Sequence, residues 1–188
     1  MVEQRVVARR SLAAVGAAAW ILFAVAWQIS DYLGRSRPFE GSPRNWFLVG
    51  VAAGTIGGLV LLGESVRFPA PRSKRFVAGM VAISLAIGLQ VIAGWALPVW
   101  ALVYGVAAAL LIPNLRPAGL LIAGGFVGSV GVWFALESMG VGPIDEYGDH
   151  PYAWNIAMWS LALAVAAGLI VRYRDARESE IVDAPVSV

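Results

Sequence analysis

Long runs without a charged residue alternate along this chain with short stretches crowded with arginine, proline and glycine. A helix rises about 1.5 Å per residue, so a hydrocarbon core of about 30 Å takes about 20 apolar residues in a row. Six runs meet or approach that length, over residues 11–29, 46–63, 76–97, 98–112, 118–136 and 153–171. The pattern predicts an all-α fold: a polytopic transmembrane bundle of six spans within residues 1–174, followed by a flexible polar tail over 175–188. The fourth run is the short one, at roughly 22 Å of helix. Pro98 suits a helix first turn and Pro113 a helix stop, so "ALPVW" reads as a tight turn and spans three and four as a hairpin. The first run, "SLAAVGAAAWILFAVAW", lacks a cleavage site after it and reads as a retained span, not a signal peptide.

Composition agrees with a membrane solvent. Of 188 residues, 59% are hydrophobic and 14% charged, against about 25% charged in an ordinary soluble domain. The connecting segments then fix an orientation, because Lys and Arg favour the cytoplasmic side. With six crossings and the N-terminus inside, eleven basic residues lie inside and three outside, namely Arg35, Arg37 and Arg44. Were the fourth span not to cross, the tally would be seven against seven. The expected topology is therefore multi-pass with both termini cytoplasmic. The short loops fit a prokaryotic cytoplasmic membrane.

Tryptophan supports the same arrangement. Seven of the eight (Trp27, Trp46, Trp95, Trp100, Trp133, Trp154, Trp159) fall in the outer half, leaving Trp20 near a helix middle. Indole favours the interface, where its ring is half buried and its N–H is wet. The same rings could wall an outward cavity.

Small and polar residues mark where the helices meet. Gly50, Gly54 and Gly58 in span two, and Gly124, Gly128 and Gly131 in span five, recur at spacings that share a helix face. Lipid gives helices no hydrophobic drive to associate, so close backbone approach must supply it. Both spans are expected in the bundle interior. "GTIGGLVLLGES" and "GSVGVWFALES" also align with one gap, the pattern of an inverted repeat. Polar groups inside the spans are uncharged: Thr55, Ser84, Gln90, Ser129 and Ser160, with Asn155 near an end. Thr and Ser can return their hydroxyls to a carbonyl one turn earlier. Gln90 has too many hydrogen-bonding sites for that and must bond across helices or to a ligand. With no ionisable group at a span centre, a buried proton relay is disfavoured.

The loop "ESMGVGPIDEYGDHPYAWN" carries Glu137, Asp145, Glu146, Asp149 and the single histidine, His150. It faces the first outer loop, "DYLGRSRPFEGSPRNW", which begins at Asp31 and carries the three arginines. The two loops are expected to meet as an outer lid, with Arg forks on carboxylates. "DEYGDH" lacks the spacing of a calcium loop and has no second histidine, so no metal site is expected. With no cysteine and one histidine, Fe–S clusters, thiolate zinc and a bis-His haem within one chain are excluded, and no cofactor is expected. The net charge of +2, dispersed in loops, leaves no nucleic-acid footprint.

These features point first to a non-enzymatic membrane scaffold or assembly subunit, its partners the lipid bilayer and a membrane protein or second copy. A second possibility is a small carrier or ligand-capture protein for an uncharged or amphiphilic solute, held by Gln90, Trp95, Trp100, Trp133, Trp154 and Asn155. A third is an enzyme acting at the outer head-group layer, though no nucleophile or metal set supports it.

Overall fold

Proline sets where four helices begin. α2 (Ser42–Arg67) and α4 (Leu97–Leu111) carry it at the second position, α5 (Pro117–Ser138) and α6 (Pro151–Val182) at the first. The missing N–H is no loss there, because the first turn has no intrahelical acceptor for it. α3 (Lys74–Ile92) begins instead at a side-chain cap: Ser73 Oγ accepts the Phe76 N–H at 3.2 Å. α5 ends in a Schellman turn. Gly140, at φ 65°, donates to the Glu137 carbonyl, and Val141 donates to that of Leu136. With α1 (Val2–Gly34), these make six helices among the described residues and no strand.

This computed structural model describes the backbone of residues 2–34, 41–67, 73–92, 97–111, 117–142 and 151–182, and side chains within 12–34, 41–63, 73–92, 99–111, 117–142 and 152–174.

Each helix packs on its neighbours in sequence, and α6 closes on α1, giving a ring in chain order. The contacts fix the directions. Ser30 meets Pro43 while Gly16 meets Val60, so α1 and α2 are antiparallel. Asn155 meets Asp31 while Leu169 meets Gly16, so α6 is antiparallel to α1. The start of α1 and the end of α6 therefore share one end of the bundle. In the α3–α4 hairpin Tyr104 meets Gln90, and at the far end Arg75 donates to the Ala109 carbonyl at 2.7 Å. α4 thus runs back along all of α3 and does not dip and return.

The outside of the ring is apolar on every helix. Val15, Leu22, Leu59, Val81, Val106, Leu120, Leu163 and Ile170 are all exposed. Continuous apolar surface of that extent belongs against lipid, not water. Among the described residues five helices are long and apolar enough to cross a membrane, and α4 contributes a shorter apolar stretch, Val99–Leu111. The chain is a helical membrane bundle.

Residues 175–182 continue α6 as helix to Val182; the sequence "RDARESEIV" is polar but rich in good helix formers. Two expectations need correction. Trp100 is not interfacial but fully buried in the core. Gly124, Gly128 and Gly131 lie on the exposed side of α5, where an added Cβ would meet nothing within 4 Å among the described residues beyond its own helix backbone and chain neighbours. The glycine of α5 that packs is Gly125, whose Cβ would sit 2.7 Å from Ala164 Cβ in α6. The two stretches that align as a repeat are used oppositely: Gly54 is buried, and its counterpart Gly128 is open.

Candidate functional site

At the centre of the ring, α1 and α4 fill the interior with aromatic rings. Trp20 stands edge-on to Phe23, Tyr104 and Phe126 at centroid distances of 5.7, 5.8 and 5.3 Å. Tyr104 stacks on Phe126 at 4.9 Å with the planes 14° apart, and Trp100 stands edge-on to Phe23 and Tyr104. Edge-to-face and offset pairs of this kind contribute about 0.5–1.5 kcal/mol each beyond burial.

A polar seam runs along one side of this cluster. The Tyr104 hydroxyl donates to Gln90 Oε1 at 2.9 Å, joining the two arms of the hairpin. The far ends of Gln90, Tyr104 and Trp20 all abut the glycines of α2. A Cβ on Gly54 would strike the Gln90 amide, one on Gly58 would strike the Tyr104 hydroxyl, and one on Gly57 would lie 2.7 Å from Trp20 Nε1. The α2 glycines thus make room for polar side-chain tips as much as for another backbone. Gly50, by contrast, rests in ordinary contact with α1, its Cβ position 3.6 Å from Ala26 Cβ. Two donors in this seam, Gln90 Nε2 and Trp20 Nε1, are buried with no hydrogen-bond acceptor among the described residues. Thr55 and Ser129 satisfy themselves on the carbonyls of Val51 and Phe126.

A second cluster lies at the end of the bundle opposite the termini. Asn155 Nδ2 donates to Asp31 Oδ2 at 3.0 Å, and one turn deeper Trp159 Nε1 donates to Gln28 Oε1 at 2.8 Å, a two-rung ladder between α1 and α6. Beside it Trp133 of α5 meets Trp154 of α6 at 5.0 Å. Glu137 stands one turn beyond Trp133, and its Oε2, Trp133 Nε1 and Asn155 Oδ1 are buried without hydrogen-bond partners among the described residues.

The residues singled out for ligand binding therefore divide between two places. Gln90 and Trp100 belong to the central cluster; Trp133, Trp154 and Asn155 belong to the α1–α5–α6 end; Trp95 lies outside the described residues. Of the lid set, Asp31 and Glu137 stand at that second cluster and Arg44 is exposed at the start of α2, while Arg35, Arg37, Asp145, Glu146, Asp149 and His150 lie outside the described residues. Among the described residues no three His, Cys, Asp or Glu side chains are grouped to hold a metal.

Tyr104 and Trp20 are central to the site and were not singled out from the sequence. A signal existed for each. Gln90 and Tyr104 lie equally far from Leu97, the turn of the hairpin, so its arms must bring them level. Trp20 is the one tryptophan outside the interfacial pattern. No protein-family model, characterised protein or solved structure matches this chain.

Proposed function

We propose that this chain is a non-enzymatic assembly subunit of a cytoplasmic membrane, with both termini on the cytoplasmic side, and that α5 receives a helix of a partner membrane protein. The carrying observation is the open glycine face of α5. Gly124, Gly128 and Gly131 stand in line, and among the described residues nothing beyond their own helix backbone and chain neighbours lies within 4 Å of where their side chains would be. The flanking Leu120, Leu121, Val127 and Phe134 are exposed, so the row forms the floor of a shallow apolar groove. In lipid such a groove gains little from ordinary acyl chains, whereas a second helix can approach its backbone closely. The aromatic centre supports the same role: Trp20, Phe23, Trp100, Tyr104 and Phe126 are at most 1% exposed, and their rings occupy the axis that a solute path would need.

The test is affinity purification of the tagged full-length chain from its own membranes in lipid-preserving polymer, followed by mass determination. Wild type is expected to carry a stoichiometric membrane partner, and Gly128→Leu to lose it while keeping its helical content and thermal midpoint. A monomeric, partnerless wild-type particle, or retention of the partner by Gly128→Leu, counts against the assignment. A particle of two identical chains identifies the partner as a second copy.

A further inference from the structure

The α3–α4 hairpin is out of step with the helix on either side of it, by unequal amounts. Ile87 of α3 lies beside Gly58 of α2, where an added Cβ would come within 2.9 Å of Ile87 Cγ1. From that level α3 continues for five residues, to Ile92, and α2 for sixteen, to Ser42. At about 1.5 Å per residue, α2 therefore reaches about 16 Å farther towards the ladder end. On the other side Gly105 of α4 lies beside Val127 of α5, its added Cβ 2.9 Å from Val127 Cγ2. α4 extends eight residues from there to Leu97, and α5 eleven to Ser138, a difference of only about 5 Å. The end of the hairpin thus keeps close to that of α5 and falls well short of that of α2. A wedge is left between α2 and α3, the pair that touches least of the six in the ring.

The wedge closes where Gln90 abuts Gly54, midway along the apolar run of α2. Beyond that point its walls are apolar. Phe47, one heptad before Gly54 and on the same line of α2, is half-buried and meets Trp27 at 5.7 Å. Ile92, the last residue of α3, is 84% exposed, so the end of that helix is open to the bilayer. The connecting residues 93–96, "AGWA", carry no polar side chain. At the rim stands Arg44, exposed in the first turn of α2 and two heptads before Gly58. These dimensions select the occupant. A transmembrane helix needs a groove along the whole core of about 30 Å, and a wedge that ends at mid-membrane cannot seat one. An acyl chain occupies a single leaflet, about 15 Å, and its phosphate lies at the level of the rim cation.

We infer that the wedge between α2 and α3 holds a glycerophospholipid from the leaflet at the ladder end, with one acyl chain lying along Phe47 over the end of α3 and the phosphate held by Arg44. A guanidinium suits that task because its N–H groups fork onto phosphate oxygens. The chain stands in for the turns that α3 lacks and fills a space that the leaflet would otherwise have to thin to reach. The inference depends neither on the α5 groove nor on which end of the bundle faces the cytoplasm.

The experiment measures the native mass of the purified full chain in mild detergent during titration with palmitoyl-oleoyl phosphatidylglycerol. Palmitoyl-oleoylglycerol, the same chains without the phosphate, is the control. One phospholipid per chain is expected to stay bound after the others are washed off, and the control lipid to wash off with them. Arg44→Gln removes the cation from an exposed position and is expected to weaken retention about fivefold. Val51→Trp, one heptad before Gly58, fills the wedge and is expected to abolish retention, with circular dichroism unchanged in both variants. In phosphatidylcholine nanodiscs, nitroxides at Ser42→Cys and Ile92→Cys are expected to differ in depth by about 16 Å, read from their accessibility to oxygen and to a nickel complex. Loss of every lipid together, equal retention of the two lipids, undiminished retention in Arg44→Gln or in a folded Val51→Trp protein, or nitroxides at one depth overturns the inference.

Discussion

At the residue scale the glycines of this bundle divide by what stands opposite them. Gly57 faces the rigid indole of Trp20, whose Nε1 and Cε2 would lie 2.7 and 2.9 Å from a new methyl group. Trp20 cannot retreat, because Phe23, Tyr104 and Phe126 hold it from three sides. Gly57→Ala is therefore expected to destabilise the protein by about 1–3 kcal/mol, the usual cost of overpacking. Gly63, whose nearest neighbour is Leu12 Cδ2 at 3.9 Å, has room for the same methyl group. There the substitution only reduces backbone freedom in the unfolded chain, and Gly63→Ala is expected to be neutral or to stabilise by about 0.4–1 kcal/mol. Titration from mild detergent into dodecyl sulfate, followed by circular dichroism, measures both. Equal effects at the two positions would show that Trp20 is not held as described.

At the element scale the α3–α4 hairpin depends on one interior hydrogen bond and one terminal clamp. Arg75 caps a last-turn carbonyl of α4, a favourable place for a cation at a helix C-terminus. Tyr104 and Gln90 tie the other end, in the core. Tyr104→Phe keeps the stacking on Phe126 but leaves both ends of the Gln90 amide without partners. It is expected to cost about 1–2 kcal/mol, more than a typical interhelical bond in a membrane, because an orphaned amide remains. Adding Gln90→Leu to Tyr104→Phe should recover part of that loss. A double-mutant cycle in the same unfolding assay should thus show a coupling of at least about 0.5 kcal/mol, and strict additivity would deny the bond. The helices, their order and the pairing of α3 with α4 were legible in the sequence, because run length and proline position determine them directly. The direction of a glycine face was not. Spacing by four says that Gly124 and Gly128 share a face, as Gly54 and Gly58 do, but not whether that face looks inward. This is decided by neighbours far along the chain: Trp20, Gln90 and Tyr104 project towards α2, while Gly125 and Gly168 draw α6 to the opposite side of α5. Tyr104 escaped notice for a related reason. A lone tyrosine in an apolar run carries no pattern until the hairpin register sets it beside Gln90.

At the scale of the whole molecule, alternating direction around a ring of six helices puts the first and last helix ends together. The ladder from Asn155 to Asp31 and from Trp159 to Gln28 marks the opposite end. The orientation proposed above, with both termini in the cytoplasm, rests on charge. The segments at the end shared by the termini hold eleven basic residues against three at the other, and positive segments stay inside. The chain has no cysteine, so single cysteines report position without background. In intact cells Ser42→Cys and Ser138→Cys, at the ladder end, are expected to react with a membrane-impermeant maleimide. Gln4→Cys and Val182→Cys should react only after the membrane is permeabilised. Labelling of positions 4 and 182 from outside with protection of 42 and 138 would invert the orientation and leave the bundle intact. Labelling of 4 and 182 from opposite sides would be more serious. It would require an odd number of crossings, which the antiparallel contacts of α1 with α6 do not allow.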